Sequence, residues 1–404
     1  MGRRRDAALA ALALLAAGCG SSSHPRPPAL PAAGPPNVIR IGLAHLLWPL
    51  DPARARSRDE IVLARVLFAT PLGTDPATGA LRPGLCTRWS SSNGGRSWRF
   101  RCSHAGAIAR ELRRVKLGLG RIDVFGRTLA ITQPVPSPEL PYLLTMAAAA
   151  PPGVPGPFRL ISASPARVVA EQGALRLVFR KLDPHEAVRL FRAGRLDEAP
   201  VPLGDLRADQ RDPRLSPSVR VRRLLAVDAV VADPHGALAK LPELRRVYAD
   251  TADRADYQAL VPEFAAPPAE SLTQRSAPTA RAAALATRRA RSRIGHLPRV
   301  AVRFAEPADP DLAYGESLLV ASWRDIGLGA YIAEGHPAAR FERLLAPWPK
   351  LDALKTAADP ALTIPIAWVA DARLVSRRLR GWREDELGTV DYSRVRFREP
   401  SPSR

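Results

Sequence analysis

Residues 85–102 read LCTRWSSSNGGRSWRFRC, a stretch in which a glycine-rich turn separates two runs of strand-forming residues. The Asn-Gly-Gly cluster that starts at Asn93 predicts a β-hairpin. Trp98, Phe100 and Cys102 alternate along the second run, so we expect them to share the buried face of the second strand.

The two cysteines of this hairpin are predicted to pair. A turn centred on Gly94 places Cys86 opposite Cys102, because each lies eight positions from the turn. In an exported chain they are the two cysteines that remain once Cys19 is modified, and the compartment is oxidising. We therefore expect a cross-strand disulfide, worth about 3 kcal/mol for a loop of this size. Two free buried thiols are the alternative.

The N-terminus has the pattern of a bacterial lipoprotein signal peptide, predicted over residues 1–19. Arginines at 3–5 precede an apolar run over 7–17, which is too short to span a bilayer as a mature helix. The run ends in small residues before Cys19, which resembles the lipobox of lipoproteins, so we expect lipid on this cysteine. An ordinary signal peptide that contains a cysteine is the alternative. Residues 20–37, rich in Pro, Ser, Ala and Gly, are predicted to form a tether.

The formal net charge of +21 does not by itself predict binding to nucleic acid. The 60 basic residues are 55 arginines and 5 lysines, scattered along a chain that is also rich in alanine and proline. This pattern is typical of a GC-rich genome, and we expect no nucleic-acid partner. The densest cluster, Arg281–Arg293, is expected on a solvated helix or loop. Contact of that cluster with anionic lipid headgroups is the alternative.

Strand-like and helix-like patterns follow one another along the chain and indicate an α/β protein. Strands are predicted over 37–43, 122–132, 158–170, 175–179 and 300–304, and helices over 59–68, 184–194, 242–253 and 310–326. The 404 residues suffice for two or more lobes with substantial cores.

Several segments resemble, in order, the bacterial extracellular solute-binding proteins of family 5, the peptide and nickel type. The early segments are LDP at 50–52, TDPATG at 74–79, LRPGL at 81–85 with Trp89, and SSNGGRSWRFR at 91–101. The later ones are GVPGPFRL at 153–160, AGRLD at 193–197, PELRR at 242–246 with DR at 253–254, DIGL at 325–328, IPI at 364–366 and VDYS at 390–393. The resemblance as a whole covers the chain from residue 38 to about residue 398.

The resemblance implies an α/β fold of the type II periplasmic-binding-protein class, in which hinge strands join two lobes and a ligand cleft lies between them. The implied first lobe spans 38–228 and includes a reduced, hairpin-containing subdomain at 85–156. The second lobe spans 229–363. A segment at 364–398 returns to the first lobe, and 399–404 form a tail.

The chain also departs from the family pattern, and it resembles a shortened, divergent member. Residues 103–150 are too few for the usual second domain, and the segment that normally precedes IPI at 364–366 is nearly absent. In peptide-binding relatives that segment supplies much of the ligand contact. The resemblance therefore implies a small solute as ligand, with an oligopeptide as one candidate.

The resemblance implies a lipid-anchored, monomeric binding component that delivers its solute to an ABC permease and its ATPase. It would lie on the outer face of the cytoplasmic membrane or face the periplasm. The candidate ligand contacts are Trp48, Asp228, Val230 and Trp348. Packing is the alternative for both tryptophans, and a hydrogen bond in the hinge is the alternative for Asp228. The alternative function is a degenerate binding-protein fold that acts as a structural or regulatory partner of a membrane complex.

No pattern in the sequence indicates catalysis, a metal site or a cofactor. The seven histidines are far apart, and no two have ligand spacing on one helix. There is no Gly-x-Ser-x-Gly, Ser-x-x-Lys or Walker-type motif. We therefore expect a protein that is not an enzyme and that binds neither cofactor nor metal.

Overall fold

The structure, a computed structural model, describes most of the chain. The described residues are 37–55, 57–75, 78–115, 119–259, 280–305, 310–333, 335–345, 362–385 and 387–398. The predicted signal peptide with its lipidated cysteine, nearly all of the predicted tether and the predicted tail lie outside these ranges.

Strands and helices are interspersed along the described chain. The strands are β1 (Val38–Leu43), β2 (Leu72–Thr74), β3 (Leu81–Pro83), β4 (Cys86–Ser92), β5 (Ser97–Cys102), β6 (Arg121–Phe125), β7 (Thr128–Thr132), β8 (Arg159–Ser164), β9 (Arg167–Gln172), β10 (Leu175–Lys181), β11 (Glu198–Pro200), β12 (Val219–Ala232), β13 (Ala301–Ala305), β14 (Gly329–Ile332), β15 (Ala339–Leu345), β16 (Thr363–Val375), β17 (Leu379–Arg380) and β18 (Arg396–Phe397). The α-helices are α1 (Arg58–Leu67), α2 (Ala105–Val115), α3 (Leu140–Leu143), α4 (Pro184–Arg192), α5 (Leu206–Arg211), α6 (Ala237–Lys240), α7 (Pro242–Thr251), α8 (Arg254–Ala259), α9 (Ala280–Ile294) and α10 (Pro310–Asp325).

The predicted hairpin consists of β4 and β5, and the structure joins Cys86 to Cys102. Trp89 pairs with Phe100, so the turn is centred between Gly94 and Gly95, half a residue later than the sequence predicts. A register shift between residues 86 and 88 compensates for this offset and returns the two cysteines to opposite positions. The hairpin extends into a four-stranded sheet in the order β4-β5-β7-β6, with α2 packed on its apolar face.

Two of the predicted strands are wrong, because each is a hairpin of two strands. The run over 158–170 contains β8 and β9, which are antiparallel and are separated at Pro165. The run over 122–132 contains β6 and β7, with Gly126 in the turn at a φ of 56°. Alternation continued through both turns, so the apolar periodicity alone did not reveal them.

The main sheet has ten strands in the order β14-β13-β15-β12-β16-β11-β1-β10-β9-β8. One apolar cluster, the first core, packs at the β1 end and includes Ile41 and Phe179. A separate cluster, the second core, packs at the β13 end and includes Phe304 and Trp323. The two cores share no residue, although β16 contributes to both.

The segment after β16 packs on the first core. Tyr392 is fully buried there and meets the ring of Phe179 edge to face. Its hydroxyl donates to the Glu198 carboxylate at 2.8 Å, and the Trp382 indole nitrogen donates to the same group at 2.8 Å.

The predicted lobe boundary at residue 228 falls inside β12, and the boundary at 363 falls at the start of β16. Both boundaries remain predictions.

Candidate functional site

The chain passes between the two cores along the antiparallel strands β12 and β16. Their pairing runs from Val219 opposite Leu374 to Arg223 opposite Ala370. It then shifts register and resumes with Val227 opposite Trp368. We call residues 224–227 and 366–369 the crossover. A register shift bends a ladder locally, so we expect the two strands to bend where they pass from one core to the other.

Six charged side chains lie together on the first-core side of the crossover. We call them the hinge ion cluster; they are Arg58, Asp59, Glu198, Asp371, Arg373 and Glu384. Asp371 is opposite Arg222 in the β12–β16 ladder, two positions before the crossover begins on β12. The cluster therefore joins α1, β11 and the C-terminal segment at the base of the crossover.

Arg58 is the centre of the hinge ion cluster. Its guanidinium donates to Glu384 at 2.6 and 3.0 Å and lies 3.2 Å from carboxylate oxygens of both Asp371 and Asp59. The side chain is only 7% exposed. Because α1 begins at Arg58, this cation opposes the helix dipole. The surrounding carboxylates offset that unfavourable position and the loss of hydration.

Arg373 connects the cluster to the loop that follows β1. It is nearly fully buried, pairs with Asp59 and donates to the carbonyl oxygen of Gly42 at 3.3 Å. Asp59 accepts the backbone N–H of Ala44 at 2.7 Å. The position of this loop, which carries Trp48, therefore depends on buried charges beside the crossover.

The hinge ion cluster contains two guanidinium groups and four carboxyl groups, and the pKa values of two of these carboxyl groups are shifted in opposite directions. Burial, and to a lesser extent the charge of Asp371, raises the pKa of Glu384 to about 8. Burial would also raise the pKa of Asp59, but Arg373 and Arg58 outweigh it and hold that pKa below its usual value.

On the second-core side, α8 is attached to both strands of the crossover. The Tyr257 hydroxyl donates to the Asp228 carboxylate at 2.6 Å. The Arg254 guanidinium donates to the carbonyl oxygen of Pro365 at 2.9 and 3.2 Å. Arg254 belongs to the DR pair at 253–254, one of the segments that resemble family 5. That resemblance was the feature of the sequence that could have pointed to Arg254.

The structure describes three of the four predicted ligand contacts. Trp48 lies in the loop after β1, precedes Pro49 through a cis peptide bond and is half-exposed. Asp228 and Val230 lie two positions apart on β12 and are both buried. Val230 packs within the second core, so its burial supports packing rather than contact with a solute. Trp348 lies outside the described residues.

Two features are absent from the described residues. Among them, no three histidine, cysteine or acidic side chains are grouped as a metal ion would require. No helix within the described ranges combines the length and apolar character needed to cross a membrane.

The fold is similar to solved structures of binding proteins. The OppA protein of Haemophilus influenzae, in complex with RPPGFSPFR, matches with a TM-score of 0.74 and 13% identity over 91% of this chain and 100% of its own. The murein tripeptide binding protein MppA of Escherichia coli matches with a TM-score of 0.73 and 13% identity over 91% and 99%. AgaA of A. tumefaciens R10, in complex with agropinic acid, matches with a TM-score of 0.71 and 12% identity over 90% and 99%.

These likenesses define the fold class. The chain has the α/β fold of type II periplasmic binding proteins, with two lobes joined by the hinge strands β12 and β16. Its sequence matches no family model, and no curated protein matches it. At 12–13% identity, the three solved structures above are similar to this chain in fold.

Proposed function

We propose that the chain is a divergent family 5 solute-binding lipoprotein that captures a small solute between its lobes and delivers it to an ABC permease and its ATPase. The observation that carries this proposal is the crossover, where β12 and β16 run from one core to the other through a register shift. A fold that only had to be rigid would gain from continuous pairing at this point. The lipid on Cys19, an exported location and a monomeric state belong to the same proposal.

Within this proposal, Trp48 and Trp348 contact the solute, while Asp228 and Val230 shape the second-core wall beside the crossover. Trp48 supports the assignment, because a half-exposed indole on a loop held by the hinge ion cluster is available to stack on a ligand. The solute class is a short peptide or another small polar molecule. Solved neighbours hold either RPPGFSPFR or agropinic acid, so the fold accommodates both kinds of ligand.

A thermal-shift screen tests the proposal. The chain from residue 20 to residue 404, which contains every described residue, is screened against short peptides, sugars, opine-type amino-acid conjugates and metal salts. One chemical class should raise the melting temperature, since a ligand that binds only the folded state stabilises it.

Variants then test the assigned residues against the best ligand. Trp48→Ala and Trp348→Ala should each weaken binding, whereas Tyr314→Ala, which removes an exposed aromatic ring on α10, should not. Full affinity in both tryptophan variants would remove those residues from the site. No shift with any class would favour the alternative, a binding-protein fold that acts as a structural or regulatory partner of a membrane complex.

A further inference from the structure

The four-stranded hairpin sheet has one face on its own core and one face in solvent. Trp98, Phe100 and Cys102 point to the core, so the residues between them on β5, Arg99 and Arg101, point outward. Both arginines are exposed. Residues opposite each other on neighbouring strands share a face of the sheet, so the partners of Arg99 and Arg101 on β4 and β7 also point outward.

Cross-strand pairing forms one continuous row across this face. Arg88 on β4 is opposite Arg101 on β5, Arg101 is opposite Thr128 on β7, and Thr128 is opposite Phe125 on β6. Adjacent strands are about 4.8 Å apart, so the row spans about 15 Å. Arg127, in the turn between β6 and β7, is exposed at the same end of the sheet. We call this surface the arginine face; it consists of Arg88, Arg99, Arg101, Phe125 and Arg127.

The arginine face is electrostatically unbalanced. Like charges directly opposite each other in a ladder are destabilising, and Arg88 and Arg101 are such a pair. Among the described residues, none of the four arginines of the arginine face forms an ion pair. The nearby carboxylate of Asp123 is already paired with Arg121, at 2.9 Å. The surface thus concentrates positive charge that the described fold does not neutralise.

Phe125 gives the same surface an apolar contact. Its side chain is 67% exposed, more than any other large hydrophobic side chain in the described part of the chain. An exposed aromatic ring in the same cross-strand row as two arginines matches the boundary of a bilayer, where the ring enters the headgroup layer and the cations meet phosphate. A four-stranded row of about 15 Å is also wider than the major groove of DNA, which is about 12 Å wide and admits a two-stranded ribbon.

We propose that the arginine face binds the surface of an anionic phospholipid membrane, with Phe125 in the headgroup layer. Charge complementarity carries the proposal, because four exposed arginines that form no ion pair within the described residues favour a partner with a dense array of negative charge. The contact would orient the anchored protein on its membrane. It does not depend on solute binding and would hold for either function considered above.

Vesicle co-sedimentation tests the proposal with the chain from residue 20 to residue 404, which has no lipid of its own. The chain should bind phosphatidylcholine vesicles that contain one-third phosphatidylglycerol, and should not bind pure phosphatidylcholine. Binding should weaken strongly between about 0.05 M and about 0.5 M salt, because exposed charges are screened. Absence of binding to the anionic vesicles at low salt would overturn the proposal and leave an acidic protein as the partner to seek.

Matched variants separate the arginine face from the general positive charge of the chain. Arg88→Gln with Arg101→Gln should weaken binding about 25-fold, at about fivefold for each arginine removed. Phe125→Ser should weaken binding at both salt concentrations. The control, Arg167→Gln with Arg195→Gln, removes the same charge from exposed positions elsewhere. An equal loss in the control would overturn the proposal, because binding would then follow net charge alone.

Discussion

Replacing Arg58 by methionine removes the central cation of the hinge ion cluster and leaves much of the apolar stem in place. The wild-type guanidinium lies within 3.2 Å of Glu384, Asp371 and Asp59, and its side chain is almost entirely buried. Breaking a buried ion pair by removing one partner costs about 3–5 kcal/mol, because the remaining charges stay buried without compensation. We expect the free energy of unfolding of Arg58→Met to fall by this amount.

The assay is urea unfolding followed by tryptophan fluorescence, with the disulfide intact. The matched control is Arg189→Met on α4, whose guanidinium is 69% exposed and pairs with Glu186 one helical turn away. Such a surface pair contributes less than about 1 kcal/mol. A loss below 1 kcal/mol in Arg58→Met, or one equal to the control, would refute the assignment of Arg58 as the centre of the cluster.

A second substitution tests the physical cause of that loss. Asp59→Asn in the Arg58→Met background removes an ionised carboxylate that no longer faces Arg58. It should therefore destabilise that background less than it destabilises the wild-type chain. The difference between the two effects is the coupling energy, expected at about 1–3 kcal/mol for groups in one network. Additive effects would mean that Arg58 and Asp59 do not stabilise the fold through their charge pairing.

Three other predictions concern the hairpin, the pH response and a tight backbone contact. The intact mass should be two hydrogens below that of the reduced chain, and replacing Cys86 and Cys102 by serine should cost about 3 kcal/mol; quantitative labelling of both thiols without reductant would exclude the bridge. The pKa of Glu384 is 4.5 in its ordinary state and about 8 in the fold, so its contribution to stability is full below pH 4.5 and is lost as the pH rises to about 8. The free energy of unfolding should fall more steeply over this range in the wild type than in Glu384→Gln, and parallel slopes would contradict the raised pKa. Gly156→Ala should cost about 1–3 kcal/mol, because its Cβ would lie 2.6–2.7 Å from backbone atoms of residues 66–68. Gly153→Ala, with open space around its Cβ, is the control, and equal effects would show that the contact is not tight.

Local patterns predicted much of the fold correctly. Helix α1 was predicted from its apolar spacing, and the structure adds a capping box formed by Ser57 and Glu60. The hairpin register was predicted to within half a residue, and the shift beside Cys86 brings the cysteines together. Such features depend on residues that are near one another in sequence, and the alternation or capping pattern reports them directly.

The hinge ion cluster could not be predicted in the same way. Arg58 and Glu384 are 326 positions apart, and Arg58 is one of 55 arginines with nothing in its local pattern to distinguish it. The packing of α1 and the C-terminal segment against β11 and β16, which pair with each other, brings these groups into one buried site, and only the tertiary fold supplies that information. Val230 is predicted as a ligand contact from its position along the chain near the crossover. That position does not show which way its side chain points, and in the structure the side chain packs in the second core.

The most direct test of a solute-binding role is native mass spectrometry of the chain from residue 20 to residue 404, exported from a bacterial host and purified without denaturation. If the lobes enclose a solute, the spectrum should contain a discrete adduct that collisional heating removes, and the adduct mass should identify the solute class. Trp48→Ala should reduce the adduct, whereas Tyr314→Ala should retain it. A clean ligand-free mass, together with no thermal shift for any ligand class, would contradict the role and favour the non-transport partner.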